Sequence, residues 1–282
     1  MGEQGEGASL EEIVAKHLAS NETSLPLFDG TSAKLQAIIG SGDFEIDEVA
    51  KLIHSDPTLT GELLRLSNSS FFGGIEKVVT VHDAIMRLGI KQVSELVILA
   101  GQKRYYQLRD PMLRGFVELL WRHAVACGIG SDWLASKLRL EDVREQAFMA
   151  GLLHDVGKLL LLRVIDDLKA EGKLPFEPSE NLIRQVLDGL HAAQGYALMD
   201  QWNIPEIYGE IVRDHEKPEV DDRNLLLQIV RLVDRACNKQ GIGLRGEEPV
   251  DLASRAEVTN LRVSPVLLAE LEIRLEDAME LA

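Results

Sequence analysis

The chain has 282 residues, 45% of them hydrophobic and 27% charged, which is a globular composition rather than a fibrous or low-complexity one. Its formal net charge of −16 repels phosphate backbones at long range, so general nucleic-acid binding is disfavoured. No apolar run reaches the roughly 20 residues that a membrane span needs.

The chain opens on "MGEQGEGASLEE", which is polar and acidic and lacks the basic and apolar regions of a signal peptide. Residues 1–24 are expected to be poorly ordered and the protein cytoplasmic. Helical signals then run the whole length, with almost no alternating strand pattern. Closely spaced turns place helices near 32–39, 45–54, 57–68, 80–88 and 91–106. Asp56-Pro57 opens one of them, with Asp before the helix and Pro at its first position. Gly40, Gly89 and Gly241 sit where helices should stop.

Asp110-Pro111 opens a longer helix, and a soft boundary falls there. Helices are expected near 111–138, 143–168, 179–202, 205–215, 222–239 and 264–281, the last opened by Ser264-Pro265. The fold class is all-α: an N-terminal helical bundle over 25–110, packed on a second helical domain over 111–282. No Gly/Ser linker joins them, so the halves should pack closely. Cys127 and Cys237 both lie in apolar helical contexts and read as buried thiols.

The chemistry concentrates in the second half. "FMAGLLHDVGKLLLL", Phe148 to Leu162, is apolar on nearly every side, yet it carries His154, Asp155 and Lys158. An ionised carboxylate there is very costly unless paired or bound to a metal. His123 is flanked at helical spacing by Leu119, Leu120, Ala126 and Cys127, so it faces inward. His191 sits one turn from Leu187, and His215 lies on the side of Tyr208 and Ile211. Asp234 shares a face with Leu227, Val230 and Cys237.

Inward imidazoles and carboxylates on separate helices suit a first-row divalent ion such as Fe, Mn or Zn, and the lack of thiolates argues against a structural zinc cage. A single histidine on an apolar face is usually just a hydrogen-bonded core residue. Six such groups in one half are harder to read that way.

The order His123, His154-Asp155, Asp234 resembles the signature of the HD superfamily of metal-dependent phosphohydrolases, and "HDVGK" resembles its doublet motif. The resemblance implies one ion on those four residues. His191 and His215 stand where two-metal members, such as the HD-GYP phosphodiesterases, supply further ligands, with Asp155 bridging. The first half narrows the match. "IHSDPTLTGELLRLSNSSFFGG" and "VHDAIMRLGIKQVSELVI" look like the HDOD family, the HD-related output domains, over about residues 25–240.

Many HDOD proteins have lost metal ligands and are regarded as signalling modules, whereas all four primary positions are filled here. "DHE" at Asp214–Glu216 replaces the paired histidines of HD-GYP members, and "HEKPEVDD" stands where a GYP triplet would follow. The resemblance therefore implies a bacterial regulatory protein that works through an unidentified signalling partner and retains one or two metal ions. The alternative is a metal-dependent phosphohydrolase acting on a nucleotide or cyclic dinucleotide, with Lys158 neutralising phosphate charge. A third reading makes Arg65, Lys77, Arg87, Lys91, Lys103 and Arg104 a nucleic-acid patch, though scattered basic residues usually form a solvated face.

Overall fold

A computed structural model describes residues 8–20, 34–35, 38, 44–55, 57–68, 77–102, 108–201, 204–219, 221–245, 249 and 251–279. Among these the secondary structure is helical, with no strand. None of the described helices is long and apolar enough to cross a membrane.

The first helix, α1 (Leu10–Ala19), lies within residues 1–24, where poor order is expected from the sequence; of that stretch residues 8–20 are described. Ser9 and Glu12 form a reciprocal capping box at its start. Leu10 and Val14 are fully buried in a cluster with Leu113, Leu161, Ile165 and Ile183. That burial fixes the helix, and it fixes it to the second half of the chain.

In the first half, α2 (Ile46–His54), α3 (Pro57–Ser67) and α4 (Val81–Gln102) pack on one another. Gly89 breaks α4 with a φ of 80°, where the sequence expects a stop. Of the 32–39 helix, only Lys34, Leu35 and Ile38 are described, and they are helical. Asp56, Lys103 and Arg104 lie outside the described residues. Asn68 closes α3 by bonding Val78 through both ends of its amide, which ties that helix to the start of α4.

The second half is built on α5 (Pro111–Lys137). Asp110 caps it by accepting from the Met112 and Leu113 amides. Buried Asp166 in turn accepts from the Arg109 and Asp110 amides, so the junction between the halves is a fixed one. Around α5 lie α6 (Glu141–Leu153), α7 (Val156–Ala170), α8 (Glu180–Gln201), α9 (Glu206–Asp214) and α10 (Leu225–Lys239). A short α11 (Ala256–Asn260) and α12 (Pro265–Ala278) follow, the latter capped by Ser264. One buried apolar cluster runs from Val49, Leu63 and Val93 to Ile129, Ile229 and Leu271, so both halves share a core.

The expected helix 143–168 is two helices. The chain leaves helical geometry at Asp155, with φ −104° and ψ 11°. His154 and Asp155 therefore sit at a corner between α6 and α7, not midway along a rod. His215 likewise follows the last residue of α9.

Candidate metal centre

The corner is what brings the site together. Gly157, two residues past it, lies against the α8 backbone, where an added Cβ would fall 2.0 Å from the His191 carbonyl oxygen. Only glycine lets α7 approach α8 this closely, and the approach sets His191 beside Asp155. All six residues singled out from the sequence as ligands converge here. His123 comes from α5, His154 and Asp155 from the corner, His191 from α8, His215 from the end of α9 and Asp234 from α10.

The four imidazoles are oriented in the same way. His123 Nδ1 bonds the Ile242 carbonyl at 2.8 Å, and His154 Nδ1 the Gly151 carbonyl at 2.7 Å. His191 Nδ1 bonds the Leu187 carbonyl at 2.7 Å, and His215 Nδ1 the Val212 carbonyl at 2.9 Å. A carbonyl only accepts, so every Nδ1 carries hydrogen. In the neutral rings each Nε2 then presents a lone pair to the centre, as metal-binding histidines do.

The Nε2 atoms meet in pairs. His123 and His154 face each other at 3.2 Å, and His191 and His215 at 3.4 Å. Two neutral lone pairs at that separation repel, so a cation or a proton must stand near each pair. Asp155 lies between them. Its Oδ2 is 3.6 Å from His123 Nε2 and 3.7 Å from His154 Nε2. Its Oδ1 is 3.4 Å from His215 Nε2 and 3.7 Å from His191 Nε2. Asp234 Oδ1 adds a third anionic contact, 3.2 Å from His123 Nε2.

Lys158 Nζ donates to Asp155 Oδ2 at 2.7 Å. Asp155 Oδ1 is buried and accepts no hydrogen bond. That orphaned oxygen, between two imidazoles, is what a cation would satisfy. The protonation states agree with a centre built for positive charge. Burial pushes the Asp155 carboxyl up, but Lys158 and the histidines hold it well below the usual range. Burial pushes Asp234 up as well, and its bond with His123 brings it below that range. Burial lowers His123, but the Asp234 bond and charge carry it up to about 9. Burial dominates at His154 and leaves it at about 4. Burial also opposes the charge on Lys158, and Asp155 more than restores it.

Two neighbours escaped the sequence reading. Glu216 Oε2 is 3.6 Å from His191 Nε2, and its other oxygen holds Arg245. Its place beside His215 in "DHE" was the available signal. Cys127 Sγ lies 3.6 Å from His123 Nε2, one turn along the same face of α5. Cys127 and Cys237 are buried free thiols, as expected, and burial pushes the Cys127 thiol up. Three groups of side chains bring ligand atoms within 4.8 Å of one another: His123, Cys127, His154 and Asp234; His154, Asp155 and His215; His191, His215 and Glu216. The donor set, nitrogen and oxygen with the Cys127 sulfur at one edge, fits a first-row divalent ion.

The mouth of the centre is nearly closed. The cavity there is about 10 Å³, lined by His123, Asp155, Lys158, Glu216, Asp234 and Arg245 among others. That is room for about one water molecule.

Comparison with known proteins places this architecture. The chain resembles a crystal structure of an HDOD domain protein of unknown function from Geobacter sulfurreducens, with a TM-score of 0.73 and 21% identity over 95% of both chains. It also resembles a candidate metal-dependent phosphohydrolase from Shewanella amazonensis, with a TM-score of 0.77, 18% identity and coverage of 95% and 96%. Among curated sequences, an uncharacterized protein of Treponema pallidum (strain Nichols) is 25% identical over 209 residues. That match takes in 72% of this chain and 39% of the relative, so the chain spans well under half of the relative's length. The HDOD domain family itself matches residues 25–218, and with more than two thirds of its length inside that match the chain belongs to the HDOD family.

Proposed function

We propose that this chain is a metal-binding regulatory HDOD protein of the bacterial cytoplasm that signals through contacts with a protein partner. The observation that carries the reading is the orientation of the four imidazoles. Each bonds a backbone carbonyl through Nδ1, and the four Nε2 atoms converge in two pairs on the two oxygens of Asp155. A dry hydrogen-bonded cluster would need only the Lys158–Asp155 pair, and that pair leaves Oδ1 without a donor. His123, His154, Asp234 and Asp155 Oδ2 would hold one ion; His191, His215 and Asp155 Oδ1 a second. An ion there supplies positive charge and Lewis acidity.

The closed mouth favours a regulatory over a catalytic role, because a cavity of about 10 Å³ cannot admit a nucleotide. The net charge of −16 opposes nucleic acid as partner. The phosphohydrolase alternative draws on Lys158, a buried cation beside the proposed ions, which could meet a phosphate if the mouth opened.

Chelation tests the reading. Binding to the folded state alone stabilises it by about 2.7 kcal/mol at a hundredfold excess over Kd. Removing bound metal should therefore lower Tm by roughly 5–10 °C. The same metal-loaded protein should turn over no phosphomonoester, dinucleotide or cyclic dinucleotide. Rapid hydrolysis lost on His154→Ala would reverse the ranking, and an unchanged Tm would remove the metal.

A further inference from the structure

Among the described residues, Leu244 and Arg245 from the stretch after α10 line the narrow cavity at the centre, with Leu120, Asn238 and Glu216 beside them. Beyond α10, residues 241–245 run as a strap past His123, α8 and Glu216, its start tied to α10 by the Ile242 amide, which donates to the Cys237 carbonyl at 2.9 Å. The Ile242 carbonyl accepts from His123 Nδ1 on α5. The Leu244 carbonyl accepts from Arg184 on α8. Arg245 Nη2 pairs with Glu216 Oε1 at 2.5 Å, with Asp188 Oδ1 farther off at 3.6 Å. Gly243 lies flat on the His123 ring at a φ of +134°, and a Cβ there would fall 2.9 Å from Nδ1.

Glu216 thus serves two neighbourhoods. One oxygen holds the strap through Arg245, and the other is 3.6 Å from His191 Nε2. His191, His215 and Glu216 together can hold an ion. A second, independent observation points at the same spot: the unpartnered oxygen of buried Asp155 is 3.4 Å from His215 Nε2. A divalent cation on the second oxygen draws negative charge from the carboxylate that holds Arg245. It also repels the guanidinium, since like charges at short range in a poorly solvated site interact strongly.

Resting on the metal reading above, we propose that Glu216 is both a ligand of the second ion and the latch of the strap's outer end, so that filling the second position frees Arg245 and loosens the strap there. Occupancy of the centre becomes a change of surface at its mouth. A regulatory protein can present that change to a partner.

The test uses the full chain, stripped of metal and titrated with Mn(II) or Zn(II). Amide hydrogen exchange is read over residues 241–245, and the affinity of each equivalent by calorimetry. The first equivalent should leave the strap protected, and the second should raise exchange at its outer end by about tenfold or more. Arg245→Gln removes the opposing cation, so the second ion should bind about tenfold tighter while the first is unchanged. Arg245 is exposed, and an unchanged first equivalent also reports an intact fold. Glu216→Gln should weaken the second ion by about tenfold or more and leave strap exchange high and insensitive to metal. Two ions bound with strap exchange unchanged or reduced would overturn the latch and leave the metal centre standing. So would a second ion that binds Arg245→Gln no more tightly. Binding of one ion only would overturn the latch as well. No binding at all would sink the metal reading with it.

Discussion

The two oxygens of Asp155 face different neighbourhoods. Oδ2 looks toward His123, His154 and Asp234, which come from α5, the α6–α7 corner and α10. These elements carry the main core cluster, and His154 is 0% exposed. Oδ1 looks toward His191 and His215, equally buried, with exposed Glu216 and Arg245 beyond. The first position is held by two carboxylates and two histidines from the core, and the second has only Glu216, at the surface and paired with Arg245, to add to Asp155 Oδ1 and its two histidines. An ion at the first should bind tightly and belong to the fold. An ion at the second should bind more weakly and be open to regulation.

Removing the shared residue is the largest test. Asp155→Ala should abolish both ions. It also strands buried Lys158 without its partner, at a cost of about 3–5 kcal/mol even in chelator, measured by denaturant unfolding. Adding Lys158→Met should recover much of that stability and none of the metal. If the single variant instead keeps one ion, the bridging role is wrong.

Removing one side at a time comes next. Asp234→Ala should eliminate the chelator-sensitive part of Tm, roughly 5–10 °C, because it takes the first position. His191→Ala should leave most of that shift and reduce stoichiometry toward one. Equal losses in the two variants would mean that the positions are not distinct.

Acid should act on both positions with the same sign. In the metal-free protein His123 keeps its proton up to about 9, and that proton must leave before an ion binds. First-position affinity should therefore rise with pH by about tenfold per unit, levelling off above about 9. His215 is also raised, the negative charge of Asp155 outweighing its burial, so the second position follows the same direction. Calorimetry between pH 6 and pH 9 reads the slope, and a flat profile would contradict the proton–metal competition.

The smallest effect is at the strap. Gly243→Ala should cost about 1–3 kcal/mol, because alanine avoids that φ and its Cβ presses on His123. It should weaken the first ion and spare the second, which tests whether the strap touches the two positions through different residues.

Much of the centre was legible in the sequence because its residues stand out against apolar faces. His123, His191 and Asp234 sit on helices whose neighbours are core residues, and the periodicity points them inward. The corner at Asp155 was not legible. Leucines surround it, no proline marks it, and periodicity cannot show a break that the buried chain makes without a breaker. The helix α1 was missed despite a signal, since "SLEE" carries the Ser9 and Glu12 of its capping box. Its glutamates read as a solvated tail, but only one face of the helix, Leu10 and Val14, needs burial. The strap was out of reach. Arg245 and Glu216 are 29 residues apart, and nothing local in "GIGLR" says which carboxylate its arginine meets.

Elemental analysis of protein purified without chelators tests the central claim most directly. Between one and two equivalents of a divalent transition metal per chain are expected, falling to none in Asp155→Ala. A wild-type protein with no metal, unable to take up Fe(II), Mn(II) or Zn(II) on reconstitution, would contradict it. The converging imidazoles would then be a proton-bridged core cluster.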